Sequence, residues 1–424
     1  MKFFKSLFIA PVSLGLLTPI TANANDINFN KISDYSEKTE ISSNSFEPLS
    51  TRNPLLAGGE GLEDTTSNDF DVDSFSSTTT LDGKAVMAIG AVSEGSQVGV
   101  TEKLTVPYVY QMNLNTSFTG DDNLYVRLKT GDGWDAFGDK PGTYHIESKD
   151  NSDFLKVDKI WYTFPIGDKI TGTVGPLIEN YYMLAATPSV YKPGVLKAFK
   201  LGGHGAAFGA STSAGAGVKY EADNGFAASV TVNSKGAKGT TGFLTDGDTN
   251  KVNTMLAYTG DNFHVSGTYT VQTGGWNSWE YFSTNEVGTT SSSVDADGYA
   301  LRAWWRPDET GTAVPSISLG YDAIDFDNHT KTDTANGYVV ALNWQDIVQA
   351  DDRIGIAIGA PLSTDDKVSA SQADDVDPFL WEAYYSFKPN DSIEVRPSVF
   401  GGSDVLADKK DDLFGAILTT VFKF

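Results

Sequence analysis

The chain has 424 residues, a formal net charge of −24, 42 glycines and no cysteine. Zero cysteine removes disulfides, thiolate metal sites and cysteine nucleophiles together, and the acidic balance speaks against nucleic acid, whose partners present basic patches. Beyond the N-terminus no run is apolar for the ~18 residues a membrane-spanning helix needs, which leaves an exported soluble protein or a β-barrel.

The chain opens on Met1-Lys2-Phe3-Phe4-Lys5, followed by an apolar run from Leu7 to Leu17 and by Ala22-Asn23-Ala24. A basic start, a short apolar core and a small-residue exit predict a secretory signal peptide over 1–24. Residues 25–77 carry Asp26, Asp34, Glu37, Glu40, Glu47 and further acids against Lys31, Lys38 and Arg52, with sparse, unperiodic apolar residues. That composition predicts an acidic linker or periplasmic arm.

From about Thr78 to the end, short alternating runs are separated by Gly, Asp, Asn, Ser and Thr clusters. Side chains of a strand alternate between faces, so each run divides in two. Leu124, Val126 and Leu128 oppose Tyr125, Arg127 and Lys129, while Leu301, Ala303 and Trp305 oppose Arg302, Trp304 and Arg306. Ile354, Ile356 and Ile358 oppose Arg353, Gly355, Ala357 and Gly359, and Ile393 and Val395 oppose Glu394 and Arg396. Some connections are tight, such as Tyr258 to Phe263 and Phe387 to Ser392, whereas 272–298 and 361–377 are long and polar. Short turns alternating with long loops are the signature of an outer-membrane barrel. The expected fold is therefore all-β: a transmembrane antiparallel β-barrel over 78–424 with about 16 strands, and roughly 14 to 18 fit the length. Aromatics at Trp161-Tyr162, Tyr181-Tyr182, Trp276 and Trp279, Trp304-Trp305, and Trp381 with Tyr384-Tyr385 are expected at the lipid–water boundaries.

The final segment places Phe414, Ala416, Leu418, Thr420, Phe422 and Phe424 on one face and Thr419, Val421 and Lys423 on the other. A barrel leaves no edge in lipid only if this last strand pairs with the first.

Lys156 to Pro176, with Trp161-Tyr-Thr-Phe-Pro165 at its centre, resembles the central strand pair of cyanobacterial outer-membrane porins. Met183 to Tyr191, Thr116 to Gly120, Trp305-Arg-Pro307, Asn343-Trp-Gln-Asp346 and Glu382-Ala-Tyr-Tyr385 through Arg396-Pro-Ser398 are similar to further parts of the same proteins. These proteins belong to the carbohydrate-selective (OprB-type) porin family. The resemblance covers about 75–424 and implies outer-membrane lipid as surroundings, a homotrimer, and inorganic ions or sugars as solutes in transit. In that class of proteins a terminal aromatic is the signal read by the barrel-assembly machinery, which assigns an assembly role to Phe422 and Phe424. One departure is the lack of a recognisable S-layer-homology domain in 25–77, which puts a wall-tethering role in doubt.

A porin needs no catalytic residue and no cofactor; its function rests on a charged constriction. Candidate pore-lining groups are Arg127, Lys129, Arg302, Arg306, Arg353 and Arg396 on polar strand faces, with Lys84 and Lys169 as weaker candidates. They serve either as a filter or as bracing ion pairs; Glu394 and Arg396, two apart on one face, suit the second role. Pro176 to Gly217, with Glu179, Lys192, Lys197, Lys200 and His204, is long enough to fold into the lumen as a constriction loop or to form strand plus turn. His145, His204, His264 and His329 are widely spaced and match no metal-ligand motif, and no Gly-x-Ser-x-Gly elbow is present. Asp322, Asp325 and Asp327, and Asp374, Asp375 and Asp377, suit Ca²⁺ or, more simply, exposed loops. The leading function is passive diffusion of small hydrophilic solutes; the alternative is a non-conducting structural or adhesive surface barrel.

Overall fold

In the computed structural model the described residues are 78–94, 103–132, 151–203, 212–236, 242–245, 248–276, 295–327, 333–364, 378–403 and 412–424. The expected signal peptide and acidic arm lie outside them, as do His145, His204, His329 and the acidic group at Asp374 to Asp377.

Among the described residues sixteen strands follow one another: β1 Thr79–Glu94, β2 Tyr108–Thr116, β3 Asn123–Gly131, β4 Lys156–Ile166, β5 Ile170–Glu179, β6 Thr212–Glu221, β7 Phe226–Ser234 and β8 Asn250–Thr259. The second half comprises β9 Phe263–Thr273, β10 Ala296–Trp305, β11 Ser316–Phe326, β12 Thr334–Gln345, β13 Arg353–Thr364, β14 Phe379–Asn390, β15 Ile393–Ser403 and β16 Leu413–Lys423. Every strand pairs antiparallel with its sequence neighbours, and β1 closes on β16, so the sheet is a closed barrel. No helix among the described residues is long and apolar enough to cross a membrane.

The two ends differ. At the end holding the start of β1 and the end of β16 the connections are short, as at 167–169, 222–225, 260–262 and 391–392. The opposite end carries the long ones, including 132–155, 180–211 and 274–295. Two acids clamp short-end turns. Asp122 accepts hydrogen bonds from Ser117 Oγ, Thr119 Oγ1, the amides of Phe118 and Thr119, and Tyr162 Oη. Asp352 accepts from the amides of Ile347, Val348 and Gln349 and from Tyr385 Oη. Burial pushes both carboxyls up, but these donors outweigh it and hold both below the usual carboxylate range.

Alternation sorts each strand as its sequence requires. Val230, Leu256, Val265, Leu301, Leu319, Ile356 and Ile358 are exposed on the outer face. Outward ring pairs border this apolar zone: Tyr220–Phe226, Tyr258–Phe263 and Tyr385–Phe387 toward the short turns, and Tyr269–Tyr299 and Trp381–Phe414 toward the long loops. The boundary assignment made for whole aromatic clusters needs correction here. Of the adjacent pairs only Tyr162, Trp305 and Tyr385 face outward, because neighbouring side chains in a strand point in opposite directions. Trp161, Trp304 and Tyr384 are buried on the inner face, and Tyr181 and Tyr182 lie outside the strands.

Closure seats the last residue. Gly83 donates to the Phe424 carbonyl at 2.8 Å and accepts from the Phe424 amide at 3.1 Å. A Cβ at Gly83 would lie 2.7 Å from the Phe424 ring, which stacks on Tyr110 with centroids 5.8 Å apart.

Candidate functional site

The β5–β6 connection, described to Gly203, does not leave the barrel. It begins with a tight turn at Asn180–Met183, runs extended, and turns again at Lys197–Gly202. Its path is fixed by hydrogen bonds to inner-face side chains in strand order. The Ala185 amide donates to Ser229 Oγ on β7 at 3.2 Å, and Trp304 Nε1 on β10 donates to the Thr187 carbonyl at 3.0 Å. The amides of Val190 and Tyr191 reach Ser318 Oγ on β11.

The strongest anchor is Glu382 on β14. Its Oε1 accepts from the Gly194 amide at 2.8 Å and Tyr191 Oη at 2.7 Å. Its Oε2 accepts from the amides of Val195 at 2.9 Å and Leu196 at 2.7 Å. One carboxylate thus satisfies three consecutive backbone donors, which pins a bend that no regular structure would hold. Tyr384, on the same face, donates to the Lys192 carbonyl at 2.6 Å.

The returning limb is held from β10. Arg302 Nε donates to the Leu201 carbonyl at 2.9 Å, Nη2 donates to the Gly203 carbonyl at 3.1 Å, and the same group pairs with Asp322 on β11 at 2.8 Å. Leu201 has φ of 60° and is followed by Gly202 at 72° and Gly203 at 126°. A left-handed leucine costs conformational energy, and it is held here by its buried side chain and by Arg302. Close approach also needs Gly320 on β11, because a Cβ there would lie 1.5 Å from the Gly202 carbonyl oxygen.

Apolar packing completes the seat. Tyr191, Val195, Leu196, Ala198 and Phe199 share a cluster with Val339, Ala341, Ala357, Leu380, Phe400 and Ile417 of the inner wall. Leu184, Ala185, Ala186 and Leu201 pack with Ala227, Met255, Ala257 and Ala300. An apolar inner wall in a channel would otherwise face water; here it is covered.

The other sequence candidates fall into separate groups. Arg127 pairs with Asp158, whose strand bulges there, and Lys159 next to it pairs with Glu179 at the root of the loop. Lys159 has no side-chain exposure. Arg396 pairs with Glu394 at 2.6 Å, and Lys423 lies 3.8 Å from the same carboxylate. Arg353 lies on the inner face near this group, opposite Ser386 in register, and Ser386 Oγ donates to Glu394. Lys129 and Lys84 are half-buried on inner faces, and Lys192 is half-buried on the loop itself. Arg302 is fully buried beneath the loop and presents no side-chain surface to water. Arg306 stands beyond β10 at the short-turn end, donating to the Asp261 carbonyl and lying over Trp304. Lys169 is in the 167–169 turn, paired with Asp223. Phe422 points outward, and Phe424 occupies the seat against Gly83 and Tyr110. Asp322, Asp325 and Asp327 do not converge, since Asp322 is buried against Arg302 while Asp325 faces outward and Asp327 lies beyond the strand. His264 is buried, with Thr259 Oγ1 and Ser266 Oγ on its two ring nitrogens.

Glu382, Asp322 as partner of Arg302, Lys159 and Gly320 were not among the sequence candidates. The signal for Glu382 was present: an acid between Leu380 and Tyr384 on one strand face is costly unless something donates to it.

Comparison with known proteins agrees with this architecture. The model of the carbohydrate-selective porin, OprB family, matches residues 55–400, beginning inside the segment read as an acidic arm. No curated protein matches the sequence. Among solved structures, Pseudomonas putida OprB at high pH superposes with a TM-score of 0.55 at 13% identity, covering 82% of this chain and 94% of that one. A loop-deletion variant of the outer-membrane protein OmpT of Vibrio cholerae gives 0.51 at 11% identity, covering 82% and 99%. A Rh. blastica porin variant gives 0.51 at 12%, covering 82% and 100%. At these identities the structures speak for the fold, and the family model, which spans most of the chain, carries the assignment. A closed sixteen-strand barrel with an inserted loop and a matched family model place the chain in the outer membrane as a member of the carbohydrate-selective porin (OprB) family.

Proposed function

We propose that residues 180–203 form the constriction through which solutes pass. The chain is an outer-membrane porin, a passive diffusion channel for small hydrophilic solutes. The observation that carries the constriction reading is the double anchoring of the loop to Glu382 and Arg302 across the inner wall. A segment so held narrows the lumen at fixed positions, and filtering follows from size and from the charges it carries. On this reading Arg302 and Glu382 position the filter, whereas Arg127, Lys129, Arg353, Arg396, Glu179 and Lys192 border the path. Sugars are the solutes that the family description names. The barrel assembles as a homotrimer, Phe422 and Phe424 address it to the assembly machinery, and it carries out no covalent chemistry.

Planar-bilayer recording and liposome swelling with sugars of graded size test the channel. Discrete conductance steps with a sharp size cut-off are expected, together with a higher cut-off in Glu382→Ala, whose loop loses its anchor. A barrel without conductance would instead support the structural or adhesive reading.

A further inference from the structure

We propose that this constriction selects small anions, and that Lys192, Lys197 and Lys200 are its specificity-determining residues. The inference rests on the loop being the constriction.

Four observations carry it. First, residues 180–211 contain no Asp or Glu, although acids far outnumber bases in the chain as a whole. Second, Lys192, Lys197 and Lys200 are the charged residues of the described loop, and each keeps part of its surface in water. Lys200 is oriented by Tyr181, with Nζ 3.0 Å from its hydroxyl and 4.6 Å from its ring centroid. Third, the carboxylates beneath and beside the loop are already compensated. Glu382 receives three amides and the Tyr191 hydroxyl, Asp322 is paired with Arg302, and Glu179 is paired with Lys159 and also attracted by Lys200. Fourth, the wall along β13–β16 and β1 adds cations: Arg353, Arg396, Lys423 and Lys84 share inner faces with the carboxylates of Glu394 and of Asp82, which is held by Asn113 and Asn115.

The result is a cationic filter within an acidic protein. A solute ion in the constriction passes the lysines at close range. A unit charge about 8 Å from an ion in water changes its local concentration about twofold, so several lysines on one short segment multiply. Anions such as chloride, phosphate and small carboxylates are therefore favoured over cations of the same size.

The test is the zero-current potential of the full-length protein in planar bilayers under a tenfold KCl gradient centred at about 0.1 M, where the Debye length is about 10 Å, repeated with potassium phosphate. Wild type is expected to give the sign set by the anion. The triple variant Lys192→Gln, Lys197→Gln, Lys200→Gln should lower the anion-to-cation permeability ratio by about 1.5-fold to twofold per charge removed. The triple Lys→Glu variant should reverse the sign, and the triple Lys→Arg variant should retain it, which separates charge from loop geometry. A cation-selective wild type, or a Gln variant with unchanged potential, overturns the proposal while leaving the channel intact. Absence of any conductance step in wild type overturns the channel reading as well.

Discussion

Arg302 shows what one side chain does here. Its guanidinium joins two strands and two carbonyls of the inserted loop, and its side chain is fully buried. Removing it takes away the paired cation of buried Asp322, which typically costs about 3–5 kcal/mol. Arg302→Met is therefore expected to lower the unfolding midpoint in denaturant strongly. Arg302→Met combined with Asp322→Leu should recover most of that loss, since the charge to be compensated has gone. The double variant still lacks donors for the Leu201 and Gly203 carbonyls, so its loop should remain looser than wild type by hydrogen exchange. Glu382 works in the opposite sense, as a single acceptor for donors that the loop cannot satisfy internally.

At the scale of elements, β16 and β1 meet where a glycine makes room for an aromatic ring. Gly83 lies under Phe424, and Tyr110 stacks on the other side of the ring. Gly83→Val would place a branched side chain where the ring and the Gln111 carbonyl now lie, 2.5 to 2.7 Å from the first added carbon. Both strands would keep their propensity, yet the seam would open at the terminal residue. The fraction of folded, heat-modifiable barrel on a semi-denaturing gel is expected to fall for Gly83→Val and to stay near wild type for Thr420→Val, an outward position on the same strand. The alternating pattern of β16 announced which residues face outward, but a glycine near the start of β1 does not announce its partner some 340 residues later (roughly the length of the barrel segment).

Over the whole molecule, two sets of charges act at different ranges. The net charge of −24 is spread along the chain, whereas Lys192, Lys197 and Lys200 lie on one short segment, the proposed constriction. Screening separates them: the Debye length is about 10 Å at 0.1 M salt and about 30 Å at 0.01 M. At about 0.1 M the nearest charges dominate, and at lower salt the acidic surroundings reach the proposed constriction. The anion preference is therefore expected to weaken as salt is lowered from about 0.1 M to about 0.01 M. Lysines acting without that acidic background would strengthen it instead, so the slope of permeability ratio against salt distinguishes the two.

The sequence alone determined that this is a barrel with short turns at one end, long loops at the other, and a last strand whose Phe414-to-Phe424 face meets lipid. Those features follow from periods of two and from composition, both local quantities that a single strand carries. It also supplied the inner-face basic residues and a long connection after Pro176 able to enter the lumen. Only the tertiary structure decided their roles. Arg127 and Arg396 turned out to be paired with acids on their own or the adjacent strand, Arg306 to stand at a turn, and Arg302 to lie beneath the loop. The reason is physical: alternation tells which way a side chain points, but whether it meets water depends on what covers that face. The covering segment comes from another part of the chain, and its path was set by Glu382, Ser318 and Gly320, whose partners lie more than a hundred residues away.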